Sequence, residues 1–66
     1  MMSLNSISGA TKVPHGRKVK ADKTVGPIMK GETYELLEIN NVSNRYLVDV
    51  GGVQLSYPME YFFYVG

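Results

Sequence analysis

The stretch Val50-Gly51-Gly52-Val53 decides the fold of this 66-residue chain. A Gly-Gly pair between two β-branched residues is a strong signal for a two-residue hairpin turn, because such a turn needs positive φ at its centre. The hairpin predicts three cross-strand pairs on one face: Val50 with Val53, Val48 with Leu55, and Tyr46 with Tyr57. Polar side chains fall on the opposite face, so that register and burial agree; they are Arg45, Asp49, Gln54 and Ser56.

The segments before the hairpin extend this prediction to an all-β domain. Residues 17–22 alternate between charged and apolar side chains, which predicts a first strand. Residues 25–31 contain two glycines and a proline, a composition typical of a long shaped loop. Apolar side chains from both segments are expected to face the core: Val19, Ala21, Ile28 and Met29.

Residues 32–39 are predicted as the second strand. Their Glu and Leu content favours a helix, but the segment is short and bounded by glycine and asparagine. If residues 40–44 form a five-residue loop, the pairing with the next strand places Leu36 opposite Val48, Tyr34 opposite Val50 and, on the other face, Leu37 opposite Leu47. A four-residue loop would invert the faces. A strand that is apolar on both faces is typical of a bent barrel strand that serves two sheets.

The two ends of the chain complete the layout. Pro58 has no amide hydrogen and therefore ends a strand, and its φ suits the start of a single helical turn. Residues 62–65 are aromatic or β-branched, which predicts a short closing strand. Residues 1–16 contain few large apolar groups, so we expect a flexible arm. The prediction is an arm over residues 1–16 and a barrel of about five strands over residues 17–66.

This order of elements resembles that of the SH3-like barrels. The closing segment Ser56-Tyr57-Pro58-Met59-Glu60-Tyr61-Phe62 is similar to that family's aromatic step, Pro-x-x-Tyr motif and final strand. The resemblance implies a small SH3-like barrel in which Pro58 and Tyr61 would line a groove for Pro-rich ligands. The chain departs from the family in lacking tryptophan and an Ala-Leu-Tyr-Asp-Tyr segment, and in carrying Lys23 and Lys30 where the family places acids. The resemblance therefore implies the barrel rather than Pro-rich recognition.

Two further resemblances concern function. A basic first strand followed by Lys30-Gly31 resembles the KOW modules of nucleic-acid and ribosome-associated proteins, although Glu32-Thr33-Tyr34 stands where those modules place a valine. The length and pattern are also similar to small uncharacterised barrel proteins of bacterial phages and mobile elements. That resemblance implies a protein that binds and modulates a host protein, in the host cytoplasm if it is phage-encoded.

Composition and charge narrow the class of protein. The chain has no cysteine, no apolar run of the ~18 residues that a membrane span needs, and no secretory pattern at residues 1–6, so a cytoplasmic protein without a membrane partner is expected. Six basic residues and one acidic residue give residues 1–30 a charge of +5, and one basic and five acidic residues give residues 31–66 a charge of −4. These charges either neutralise each other across adjacent strands or mark a basic surface for nucleic acid.

The inventory of side chains predicts no enzyme. His15 is the only histidine, and it stands between Pro14 and Gly16 in the predicted arm, without a partner to orient it. Glu35 and Glu38 are expected on opposite faces of one strand. One histidine, no cysteine and no Asp-rich loop give no reason to expect a metal, and the glycine spacing predicts no phosphate or cofactor site.

The aromatic side chains suggest binding. Seven rings are many for so small a core, although a tiny barrel can also need all of them. The first hypothesis is a protein-binding surface, because exposed aromatic residues and methionine are common at interfaces; it comprises Tyr57, Pro58, Met59, Tyr61 and Phe63. The alternative is a KOW-like nucleic-acid surface formed by Arg17, Lys18, Lys20 and Lys23 together with the predicted arm. The protein partner is not identified by the sequence, and both a monomer and an edge-strand homodimer remain open.

Overall fold

The computed structural model describes residues 10–66, which form one antiparallel sheet of six strands. The strands are β1 (Ala10–Lys12), β2 (Lys18–Ala21), β3 (Thr33–Asn40), β4 (Arg45–Val50), β5 (Val53–Pro58) and β6 (Phe62–Tyr64), with a 3-10 turn over Met59–Tyr61 before β6. Their order in the sheet is β5-β4-β3-β2-β6, and β1 pairs separately with β3. The all-β prediction, with one helical turn before the last strand, is confirmed.

The β4–β5 hairpin forms in the predicted register. Its pairs include Val50 with Val53, Val48 with Leu55 and Tyr46 with Tyr57. Gly51 and Gly52 have φ values of 60° and 90°, and a primed two-residue turn accepts such values most readily at glycine. Pro58 is the last residue of β5, as its missing amide hydrogen predicts.

The loop between β3 and β4 is shorter than predicted, yet Leu36 and Val48 are buried opposite each other as predicted. Asn40 lies opposite Arg45, so the loop has four residues rather than five. The side chain of Asn40 accepts hydrogen bonds from the amides of Val42 and Ser43, both at 3.0 Å, and Asn44 takes a positive φ of 58°. This side-chain turn closes the loop one residue earlier than expected.

A β-bulge in β3 restores the predicted faces. The register shifts between Leu36 and Glu38, so that Leu36 lies opposite Val48 as predicted, whereas Leu47 faces Glu38 and not Leu37. The predicted pair of Leu37 with Leu47 is therefore wrong. A bulge places two residues against one and bends the strand, and here it offsets the inversion that a four-residue loop would otherwise cause.

Part of the predicted arm belongs to the sheet. Ala10–Lys12 forms β1, which pairs with residues 38–40 of β3, while β2 pairs with residues 33–35 along the same edge. The eight-residue β3 is too long for β2 to cover alone, so β1 satisfies the backbone groups that remain. The arm prediction is corrected for residues 10–12, and residues 1–9 lie outside the described residues.

The core lies between β2, β3, β4 and β6, and the loop after β2 covers it. Its buried side chains are Val19, Ala21, Ile28, Leu36, Val48 and Phe62. Ile28 is fully buried because its amide and carbonyl exchange 2.9 Å hydrogen bonds with Val25, which turns the loop inward. The predicted burial of Met29 is wrong: this neighbour points the other way and is 60% exposed.

Candidate functional site

The five residues of the predicted protein-binding surface lie in three separate parts of the fold. Tyr57 and Tyr61 form the first, because their ring centroids lie 6.2 Å apart and both side chains pack against the core. Tyr57 also makes an edge contact with the core ring of Phe62, at 6.2 Å between centroids. These two tyrosines therefore serve packing, which agrees with the alternative that a small core uses its rings.

The loop after β2 contacts both of these tyrosines. The Nζ atom of Lys23 lies 4.4 Å from the centre of the Tyr61 ring, a cation–π distance. A Cβ atom built on Gly26 would lie 3.6 Å from the Tyr57 hydroxyl, so the loop backbone passes close to that ring. Lys23 thus lies in the loop against Tyr61, outside the strand β2 that carries Lys18 and Lys20.

Pro58 and Met59 lie at the end of the sheet, beside the β3–β4 loop. Both line a cavity with Ser43, Asn44, Arg45 and Glu60. The amide of Met59 donates a 2.9 Å hydrogen bond to the carbonyl of Asn44, which holds the 3-10 turn against that loop. The role that the structure assigns to this pair is to connect β5 with β6.

Phe63 lies in the third part of the fold, next to the predicted basic residues. β6 pairs with β2 so that Phe63 lies opposite Lys20, and the amide of Val65 donates to the carbonyl of Lys18 at 3.1 Å. Since side chains alternate along a strand and Phe62 is buried, Phe63 and Val65 face away from the core. The exposed fractions of Phe63, Tyr64 and Val65 are 55%, 51% and 53%.

We call the outward group of Lys18, Lys20, Phe63 and Val65 the β6 surface. It combines one residue from the protein-binding hypothesis with two from the nucleic-acid hypothesis, because β2 and β6 are neighbours in the sheet. Val65 was in neither hypothesis, and its alternation with Phe63 was the signal available in the sequence.

The charges on this side of the sheet are only partly balanced. Lys12 lies opposite Glu38 and Lys18 opposite Glu35, so basic and acidic strands do meet. Lys20 instead lies opposite Thr33 on one side and Phe63 on the other. Within residues 10–66 no carboxylate oxygen lies within 4.0 Å of a lysine or arginine nitrogen, so Lys20 makes no ion pair with a described carboxylate.

His15 has a partner, contrary to expectation. Its Nδ1 lies 3.1 Å from Oε2 of Glu35, because the β1–β2 loop returns along β3 at the bulge. Glu35 and Glu38, predicted on opposite faces, line the same cavity with His15, since the bulge reverses the alternation between them. The part of the chain that the structure describes contains no group of three or more metal-ligating side chains.

No protein-family model, curated protein or solved structure matches this chain. The described residues also include no helix with the length and hydropathy that crossing a membrane requires.

Proposed function

We propose that this chain is a small, non-enzymatic protein-interaction module that binds its partner at the β6 surface. The observation that carries the proposal is that Phe63 and Val65, each more than half exposed, lie together on the outward face of the sheet beside Lys20. Apolar side chains scattered singly on a surface are normal, whereas contiguous ones mark binding sites.

The kinds of side chain at this surface support the same proposal. Phenylalanine and tyrosine are enriched at interfaces and contribute large buried areas when a partner covers them. Lys20 adds a charge that can select among partners by its sign. The surface therefore combines affinity from Phe63 with specificity from Lys20.

The SH3-like barrel and the phage-type modulation of a host protein in the cytoplasm belong to this proposal as well. The order of strand, long loop, three-strand meander, helical turn and final strand supports the SH3-like assignment. Recognition of Pro-rich ligands is not proposed, because Tyr57 and Tyr61 pack against the core and the loop after β2 contacts both.

Capture from a bacterial lysate, with and without nuclease, tests the proposal. The bait proteins are the wild type, Phe63→Ser and, as a matched control, Val42→Ser, which changes another exposed apolar residue in the β3–β4 loop. We expect one stoichiometric protein that survives nuclease, is retained by Val42→Ser and is lost with Phe63→Ser. Equal capture by a folded Phe63→Ser variant would show that the partner binds elsewhere.

Single-stranded nucleic acid is a second candidate, favoured by the position of Lys20 beside Phe63. A base can stack on an exposed ring while its phosphates meet neighbouring lysines, at about 1 to 3 kcal/mol per stacked base. We expect affinity in the micromolar range or weaker at ~50 mM salt, falling steeply by ~200 mM because counterions are released. Oligonucleotide binding that does not respond to salt, or to Lys20→Ala, would remove this candidate.

A further inference from the structure

The free edge of β6 follows from the hydrogen bonds that join it to β2. In an antiparallel pair, opposite residues alternate between those that exchange backbone hydrogen bonds and those that point these groups away. The amide of Val65 donates to Lys18 and the amide of Asp22 donates to Tyr61, at 3.1 and 2.7 Å. By alternation Phe63 bonds to Lys20, and the backbone groups of Phe62 and Tyr64 point away from β2.

The outward groups of β2 confirm this alternation independently. Ala21 lies opposite Phe62 in the ladder, and its own amide and carbonyl bond on the other side, to Glu32 and Gly31, both at 2.9 Å. Phe62 and Tyr64 must therefore direct their backbone groups to the far side of β6. The Phe62 amide turns back to the carbonyl of Met59, which leaves the amide and carbonyl of Tyr64 and the carbonyl of Phe62.

No described strand other than β2 pairs with β6, so these groups form an open edge. An extended peptide can add to such an edge, where main-chain hydrogen bonds supply affinity and alternate side chains supply specificity. A strand added there would lie about 4.8 Å from β6 and would cover Phe63 from the side.

Charge identifies the kind of strand that fits. Lys20 would lie two strand spacings from the added strand, about 9.6 Å, with Phe63 between them. A lysine side chain and a glutamate or aspartate side chain can meet across that distance over the ring. Since no described carboxylate pairs with Lys20, an acidic residue in the added strand would be its first partner.

A second copy of the chain fits this requirement poorly. The strands that end the sheet or lie along β3 as a short edge are β1, β5 and β6, and none of them contains an aspartate or glutamate. β1 instead contributes Lys12. Pairing of β6 with any of these edges would form hydrogen bonds without meeting the charge of Lys20.

We infer that the partner contributes an extended segment that adds to β6 as a further strand and carries an acidic residue facing Lys20. This inference rests on the proposed function and specifies how the β6 surface recognises its partner. Apolar side chains alternate with the acidic one, so that one of them packs against Phe63.

A display library of random short peptides, panned on the full chain, tests the inference. We expect selected peptides with Asp or Glu enriched at one position and β-branched or aromatic residues at alternating positions. Replacing the selected acid by its amide should weaken binding about tenfold, and Lys20→Glu should do the same. Lys12→Glu, a reversal at an exposed lysine on β1, is the matched control and should leave the affinity unchanged.

Tyr64→Pro separates strand addition from other modes of binding. Proline removes the outward amide hydrogen of Tyr64 but none of the hydrogen bonds between β2 and β6, because Tyr64 makes none there. Relative to Tyr64→Ala, which loses only the side chain, Tyr64→Pro should weaken the selected peptides about tenfold. Retained β2–β6 amide protection in hydrogen exchange would verify that the edge variant is folded.

The possible results are distinct. Peptides that bind Tyr64→Pro as well as Tyr64→Ala but lose affinity with Phe63→Ser would overturn strand addition and leave the proposed function standing. Selected peptides without an acidic preference would overturn the charge requirement. Selection of no peptide would overturn the inference, and lysate capture would then decide the proposed function separately. Competition by an oligonucleotide would assign the surface to nucleic acid.

Discussion

The two ends of the sheet differ in how they treat their free backbone groups. At β5, the hydrogen bond from Met59 to Asn44 sets the alternation, so Gln54, Ser56 and Pro58 point their backbone groups away from β4. Pro58 has no amide hydrogen, and Arg45 donates from Nη2 to the Ser56 carbonyl and from Nε to the Ser56 hydroxyl, both at 2.8 Å. At β6, the amide and carbonyl of Tyr64 meet no such protection among the described residues.

This difference shows that the residues at each edge determine whether the free backbone groups of that edge are protected. Native sheets protect their edges with proline, charge or covering groups because an open edge pairs with other chains. The chain applies two of these devices at the Ser56–Pro58 end of β5, where Gln54 is not covered by either, and it applies neither at β6, although β6 carries the more apolar side chains. An open edge with exposed rings is therefore consistent with a role in binding.

The largest expected effect on stability comes from replacing Phe62, the residue that anchors the open edge strand β6 in the core. Phe62 is buried and its ring lies 6.1 Å from that of Tyr46, so Phe62→Ala should lower the free energy of unfolding by about 3 to 5 kcal/mol. A domain this small has little stability in reserve, so the variant is expected to unfold or to release β6. Urea denaturation followed by circular dichroism measures the change.

The matched control is Phe63→Ala, one residue along the same strand. Its ring faces solvent, so its removal should change the free energy of unfolding by less than about 0.5 kcal/mol. Similar losses in the two variants would show that Phe63 packs against the fold and is not free for a partner.

The second prediction concerns the Gly51-Gly52 turn, which joins the protected edge strand β5 to β4. Gly52 has a φ of 90°, a conformation that a residue with a Cβ atom rarely adopts, so Gly52→Ala should cost about 1 to 2 kcal/mol. No atom lies within 4 Å of the position of the added Cβ, so the cost is one of backbone strain. The melting temperatures of Gly52→Ala and of the wild type, from thermal unfolding, measure this cost.

Gly51→Asn is the control for this turn. Gly51 has a φ of 60°, which asparagine tolerates far better than alanine does. We expect Gly51→Asn to unfold within a few degrees of the wild type. An equal loss in both variants would indicate that the turn needs glycine for another reason than φ.

The sequence predicted the fold where the pattern is local. The Gly-Gly turn sets the register of β4 and β5 through adjacent residues, and the alternation around Val19 sets the buried face of β2. The bulge at Leu37 was not predictable in this way, because it balances the length of the β3–β4 loop against the burial of Leu36. β1 has only three residues and no apolar alternation, and its place depends on the length of β3.

The candidate site was predicted only in parts for a related reason. Lys20 and Phe63 were each selected, but for different functions, since their proximity depends on the pairing of β2 with a strand distant in the sequence. Such non-local pairing is specified by the whole sheet and not by any short pattern. The aromatic residues of the closing segment likewise could not be sorted into core and surface until the 3-10 turn fixed their directions.

The smallest expected effect tests the protection of β5 itself. Arg45 is exposed, and its two hydrogen bonds to Ser56 lie at the surface, so Arg45→Ala should cost about 0.5 to 1 kcal/mol in the free energy of unfolding. A double-mutant cycle with Ser56→Ala isolates the contact with the hydroxyl from the contact with the carbonyl. Arg17→Ala, another exposed arginine, controls for the loss of charge.

The same Arg45→Ala variant also tests whether an open edge is enough for binding. Because Pro58 still offers no donor and no lysine flanks β5, the unprotected edge should not acquire affinity for the acidic peptides selected on β6. If Arg45→Ala binds those peptides at β5, the open backbone alone accounts for recognition, and Lys20 and Phe63 do not confer the specificity proposed for them.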